Sequence, residues 1–157
     1  MIDEIDGSIL ELLQNNARMP QAEIARVVGL APSAVLERIR KLEARGVIKG
    51  YAAIVDPHAL AQSMLAFIAV RSEEAPGDDR VSQALAQCPE VLEVHHVAGD
   101  DCYLLKVRAR DAEHVGQLLR HRFGRIPGVR STRTTIVLAT VKETPRLPVP
   151  SPAELAR

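Results

Sequence analysis

Tryptophan is absent from this chain, and two tyrosines and two phenylalanines bring the aromatic share of its 157 residues to only 3%. Its cores must therefore be aliphatic, and an apolar share of 46% is enough to build them. Cysteine is nearly missing. Cys88 and Cys102 stand alone without metal-ligand spacing, and two cysteines make no disulfide framework. Net charge is missing too: 20 Lys and Arg balance 20 Asp and Glu, so any affinity for nucleic acid must come from a local surface. The chain shows neither an apolar run of about 18 residues nor a leader-like segment, and a cytoplasmic protein without a membrane partner is expected. It has no phosphate loop and no nucleophile, base and orienting group in a recognisable pattern. No catalytic residue, no metal site and no resident cofactor is expected.

What is present begins at Gln21 to Lys49. Ile24, Ala25 and Val28 form one helical stripe, and Val35, Ile39 and Leu42 form another. The tight turn at Gly29-Leu30 between them is too short for side-by-side helices. They must cross steeply, as in a helix-turn-helix. The outward positions of the second helix are Ser33, Ala34, Glu37, Arg38, Lys41 and Arg45. Small, polar or cationic side chains there suit a helix that enters a DNA groove, with Ser33 and Glu37 the candidates for base reading. From Ser33 to Lys49, five cations face Glu37 and Glu43, a local charge of +3. Double-stranded DNA is the partner this face fits.

Upstream, Ile2, Ile5, Ile9, Leu12 and Leu13 predict a helix over Asp3 to Asn15, with Asp3, Glu4 and Asp6 at its positive end. Pro20 is placed to open the next helix. Downstream, the β-branched run Val47 to Val55 reads as a small wing or an outgoing strand, and Asp56-Pro57 stops it. The expected organisation is a winged helix-turn-helix over residues 1–50, a hinge over 51–63, a second domain over 64–142 and a Pro-rich tail over 143–157.

The second domain carries an internal repeat. Cys88-Pro89-Glu90-Val91 and Ile126-Pro127-Gly128-Val129 stand 38 positions apart, Pro89 to Pro127. Each follows a helical stretch, Arg80 to Gln87 and Ala112 to Phe123. Each helix follows a strand, Leu65 to Val70 and Tyr103 to Val107. Strand, helix, strand, strand, helix, strand is the split βαβ order of a ferredoxin-like α+β domain. Right-handed crossovers put both helices on one side of the sheet. The other face, expected to carry Leu92 and Val94, is then left for a partner, most simply a second copy of the chain.

These segments together resemble the Lrp/AsnC family of transcription regulators. The resemblance rests on Ile5-Asp6-Gly7-Ser8-Ile9-Leu10, Asn16-Ala17-Arg18, the helix-turn-helix with Arg38-Ile39 and Leu42-Glu43, Gly46-Val47-Ile48 and Gly50-Tyr51. In the second half it rests on Val97-Ala98-Gly99, Tyr103-Leu104-Leu105, Ile126-Pro127-Gly128-Val129 and Thr132 to Thr134. It implies a ferredoxin-like effector domain of the AsnC type and homodimers that assemble into octamers. It also implies an amino-acid effector held between dimers by Gly99, Asp100, Asp101, Cys102 and Tyr103, with Thr132 and Thr134 as the facing wall. Cys102 departs from the family, where many members carry Asp. Ala31 and Pro20 replace hydroxyl caps, each loss costing ~1 kcal/mol, softened by a proline in the first turn.

Two other readings compete. Some sirohaem decarboxylases resemble the family in both halves, and His95 or His96 would then be the acid-base candidates. An oligomeric amino-acid sensor with weak DNA binding is the third reading. Adjacent histidines on a strand point to opposite faces, so a shared metal ion is not expected.

Overall fold

A computed structural model describes residues 2–73, 77–151 and 154. The chain divides into two compact units, Met1–Ala53 with Lys142–Arg157, and Ile54–Val141.

The first unit is built on three helices: α1 (Glu4–Asn15), α2 (Gln21–Val28) and α3 (Pro32–Ala44). Asp3 caps α1, its carboxylate accepting the Asp6 N–H at 2.7 Å. Neither Pro20 nor Ala31 supplies a side-chain cap, and Pro32 opens α3 where its missing N–H costs nothing. Between α2 and α3 the chain reverses at Gly29, whose φ of 70° lies in the left-handed region that a side chain disfavours. Ile9, Ile24, Ala25, Val35, Ile39 and Leu42 are buried together, so the stripes read from the sequence converge. Beyond Gly46 the expected wing does not form. Residues 47–55 make no strand, and among the described residues no segment of the unit forms a ladder with them. Val47 and Ile48 instead cover the helical core, and the Tyr51 hydroxyl donates to Glu43 Oε1 at 2.9 Å.

The second unit is a four-stranded antiparallel sheet with two helices. Its elements are β1 (Met64–Ser72), α4 (Arg80–Ala86), β2 (Val91–His96), β3 (Tyr103–Ala109), α5 (Ala112–His121) and β4 (Val129–Ile136). The strand order β2-β3-β1-β4 is the ferredoxin-like arrangement expected from the repeat. Ala66, Ile68, Val70, Tyr103, Leu105 and Val107 form the inner face with Val81, Leu85 and Leu118 of the helices. Phe123, in a 3-10 turn after α5, is fully buried against them.

The register corrects one expectation about the open face. Val94 lies opposite Leu105, and so turns toward the helices and packs on the inner core. A bulge between Val91 and Glu93 breaks the alternation and leaves Leu92 55% exposed. Phe67, Leu104, Lys106, Arg133 and Thr135 share the open face, which is therefore a mixed surface and not a purely apolar one.

Candidate DNA-reading helix and effector loop

The α3 face presents the residues that its periodicity placed outward. Ser33, Glu37, Lys41 and Arg45 are exposed and Ala34 is half-buried. Ala34, Glu37, Arg38, Lys41 and Arg45 line one open cleft of about 250 Å³ together with Asp6 and Leu42. Lys41 Nζ reaches Glu37 Oε1 at 2.6 Å, one turn away and in full contact with solvent. Such an exposed pair contributes little to stability and holds its charges loosely.

Arg38 behaves differently. Its guanidinium contacts Asp3 Oδ2 and Asp6 Oδ1, both at 2.7 Å. Asp6 is 8% exposed, so its half of the contact is largely desolvated while the Asp3 half faces solvent, and together they tie the first turn of α1 to the middle of α3. The Asp6 backbone N–H and the Arg38 guanidinium together hold the Asp3 carboxyl below its ordinary range. The two carboxylates in turn raise the Arg38 pKa. In the sequence, Asp3 and Asp6 read only as helix-dipole partners. The cation they hold lies 32 to 35 residues away, and no spacing rule reports it.

In the second unit, residues 97–102 join β2 to β3. The loop is fixed to β1 by Cys102 N–H donating to Val70 O at 2.9 Å, and Val97 N–H donates to Cys102 O at 3.0 Å. Gly99 turns it with a φ of 132°. Asp100 is exposed. Asp101 Oδ2 meets Arg133 Nη2 of β4 at 2.5 Å, an ion pair with no signal in the sequence. The Cys102 thiol sits 3.5 Å from both Ser72 N and Ser72 O, so it is engaged with the β1 backbone. Tyr103 is buried within the core, its ring 5.3 Å from that of His96. Tyr103 and Thr132 both lie opposite Val70, so they occupy one cross-strand row on the same face, about 10 Å apart. Thr134 stands two residues further along β4, opposite Ile68. The structure thus brings the loop, Tyr103 and the two threonines to neighbouring positions on one sheet.

His95 and His96 project to opposite faces. His95 Nε2 contacts Glu93 Oε2 at 3.0 Å, while His96 lies against Tyr103. The hydrogen bond from His95 is the main cause holding the Glu93 carboxyl below its ordinary range, with Lys106 assisting.

A helix-turn-helix unit with an exposed polar face on its second helix, joined to a ferredoxin-like unit, defines a DNA-binding regulator with an appended α+β domain. Comparison with known proteins narrows the class. Residues 2–43 match the AsnC-type helix-turn-helix domain, and residues 65–147 match the Lrp/AsnC ligand binding domain. The chain belongs to the Lrp/AsnC family of transcription regulators. It is 45% identical over 148 residues to the HTH-type transcriptional regulator FL11 of Pyrococcus horikoshii, covering 94% of this chain and 97% of the relative. It is 39% identical to the leucine-responsive regulatory protein of Escherichia coli, covering 93% and 90%. Among solved structures, a transcriptional regulator of Neisseria meningitidis in complex with L-methionine superposes with a TM-score of 0.88 at 30% identity, covering 94% and 97%. The feast or famine regulatory protein of M. tuberculosis complexed with L-methionine gives 0.87 at 34%, covering 96% and 100%.

Proposed function

We propose that this chain controls transcription as a paired DNA reader whose affinity is set by a small amino acid. The outward face of α3 carries the reading: Ser33, Ala34 and Glu37 approach base edges, and Lys41 and Arg45 approach phosphate. Arg38 is a positioning residue, because its guanidinium is committed to Asp3 and Asp6. A local surplus of three charges in a neutral chain gives weak binding per head, so two heads acting together supply specificity. The uncovered sheet face around Phe67 and Leu104 is the surface through which two copies pair, and dimers assemble further into octamers. The setting is the cytoplasm.

Two structural relatives hold L-methionine, which supports an amino acid as the effector here. Its carboxylate approaches the backbone amides after Gly99, and its ammonium approaches Asp100 or Asp101. Thr132 and Thr134 form the opposing wall, and Cys102 sets the side-chain preference where other members place a carboxylate. A thermal-shift series over the twenty amino acids tests this arm, because a ligand bound only by the folded state raises the melting temperature. No shift with any amino acid sinks it.

A gel shift with DNA from the chain's own promoter region tests the DNA arm. Lys41→Ala with Arg45→Ala lowers affinity across all sequences, and the slope of log K against log salt falls by roughly 0.9 for each phosphate that is no longer neutralised. An unchanged slope removes α3 as the reading helix.

A further inference from the structure

The Pro-rich C-terminal segment, which reads in the sequence as an extended tail, groups with the first unit. The Gln14 carboxamide of α1 engages both backbone groups of Leu147: Nε2 donates to Leu147 O at 3.0 Å, and Oε1 accepts Leu147 N–H at 2.7 Å. A side chain that satisfies one residue's N–H and C=O together imitates a neighbouring strand. Arg146 donates to Asn15 Oδ1 one residue away on the helix. Two turns back toward the N-terminus, Val149 lies over Gly7, where an added Cβ would meet Val149 Cγ1 at 3.3 Å. The segment therefore runs antiparallel to α1 along the face marked by Gly7 and Gln14.

The composition of the segment suits this docking. Pro145, Pro148 and Pro150 fix the backbone in an extended form before it binds, which lowers the ordering cost. Leu147 and Val149 lie between them and keep their N–H groups, and the Leu147 N–H is the one Gln14 accepts. The Leu147 side chain is 75% exposed, and its backbone does the holding. Gly7 has a matching logic. A glycine inside a helix costs roughly 0.5–1 kcal/mol relative to alanine, and here its bare Cα admits Val149.

We infer that Arg146–Val149 is an integral strap of the DNA-reading unit, docked on the α1 of its own chain, and that it gives the effector unit a second covalent route into that unit. The first route is the hinge near Ala53; the second follows β4, joins the first unit at Lys142 and reaches the strap at Arg146. The helix the strap grips is the one whose Asp3 and Asp6 hold Arg38 on the reading helix. A unit held at two points samples fewer orientations than one held at a single hinge. Its effective concentration at a second half-site is higher. This last consequence rests on the paired-reader reading above; the strap itself does not.

Trypsin reads the strap directly, because Arg146–Leu147 is a cleavable bond in the docked segment. In the full-length protein, Gln14→Ala and, separately, Gly7→Leu should speed cleavage after Arg146 at least several-fold, followed by mass spectrometry. Gly7→Leu raises the helix propensity of α1, so an unfolded α1 does not explain its effect, and an unchanged helical circular-dichroism signal confirms that. Equal cleavage rates in parent and both variants overturn the strap. Gln14→Cys with Leu147→Cys, in a background carrying Cys88→Ala and Cys102→Ala and bridged by a short bis-maleimide that spans the gap a disulfide cannot, should give a link within one chain. A dimer-sized product on a non-reducing gel overturns docking in cis. Both variants should weaken promoter binding about three- to tenfold. Faster cleavage with unchanged promoter affinity overturns the second-route role while leaving the docking in place. A parent that binds no promoter DNA refutes the paired reader and the second-route role that rests on it, and leaves the cleavage result to decide the docking.

Discussion

The two units solve the problem of building a site in opposite ways. In the first, the proposed reading residues come from a single helix, at positions fixed by 3.6-residue periodicity once Val35, Ile39 and Leu42 are buried. In the second, the proposed effector region combines the loop 97–102 and the start of β3 that follows it with the middle of β4, some thirty residues further on and brought alongside by sheet register. The first site keeps its geometry when an exposed side chain such as Lys41 is removed, because the buried stripe and not the outward face holds the helix. The second depends on a core that keeps β1, β3 and β4 in line. The two should therefore fail differently when the interior is damaged.

Phe123→Ala is the largest test of that difference. Phe123 is fully buried in the core beneath the sheet, and removing a ring from such a site costs about 3–5 kcal/mol. Calorimetry should show the lower-melting transition assigned to the sheet unit, with amino-acid stabilisation abolished and the helical signal of the reading unit retained to higher temperature. A single transition that shifts as one body would show that the units are not independent in stability.

Arg38→Ala probes the first unit at its own point of dependence. Removing the guanidinium leaves the carboxylate of Asp6, 8% exposed, without its cationic partner. A cost of about 1–3 kcal/mol is expected, measured by urea unfolding. Lys41→Ala removes a cation whose ion-pair partner Glu37 is equally exposed, and should change stability by no more than a few tenths of a kcal/mol. In DNA binding the order reverses in kind: Lys41→Ala alters the salt slope, whereas Arg38→Ala weakens binding through a loosened α3. Equal stability effects from the two variants would erase the distinction between a reading and a positioning cation.

The same contrast explains how much was legible in the sequence. The helices of the first unit, the split βαβ order and the doubled strand-helix-strand repeat all follow from local periodicity, and each appears in the structure. The Gly29 turn and the Pro32 helix start also follow from single residues with fixed backbone preferences. Features made by long-range pairing were not legible. The wing at 47–55 had β-branched residues but no partner strand. Val94 changed faces because a bulge at Leu92 shifted the alternation by one residue. Arg38 to Asp6, Asp101 to Arg133 and Gln14 to Leu147 join residues 32, 32 and 133 apart. The effector role proposed for Gly99 to Tyr103 comes from the family resemblance alone, since Asp100-Asp101 at a hairpin tip is also an ordinary turn.

Asp3 offers the smallest and most specific test of the Arg38 anchor. Its carboxyl does two things: it caps α1 through the Asp6 N–H, and it pairs with Arg38. Both lower its pKa in the folded chain relative to 3.8, the cap first. A depressed folded value means the contribution is present above the unfolded pKa, near 4, and is lost as pH falls through the lower folded value. Asp3→Asn keeps a good cap but removes the charge. The Asp3 side chain is 55% exposed, so solvent screening limits the ion-pair share to below about 1 kcal/mol. At pH 7 the parent should therefore be slightly more stable than Asp3→Asn by urea midpoint. Below about pH 3 the two curves should converge, and salt at about 1 M should shrink the gap at pH 7. A gap that persists unchanged at low pH would assign the role of Asp3 to capping alone, and would leave Asp6 as the sole charged partner that sets Arg38 in place.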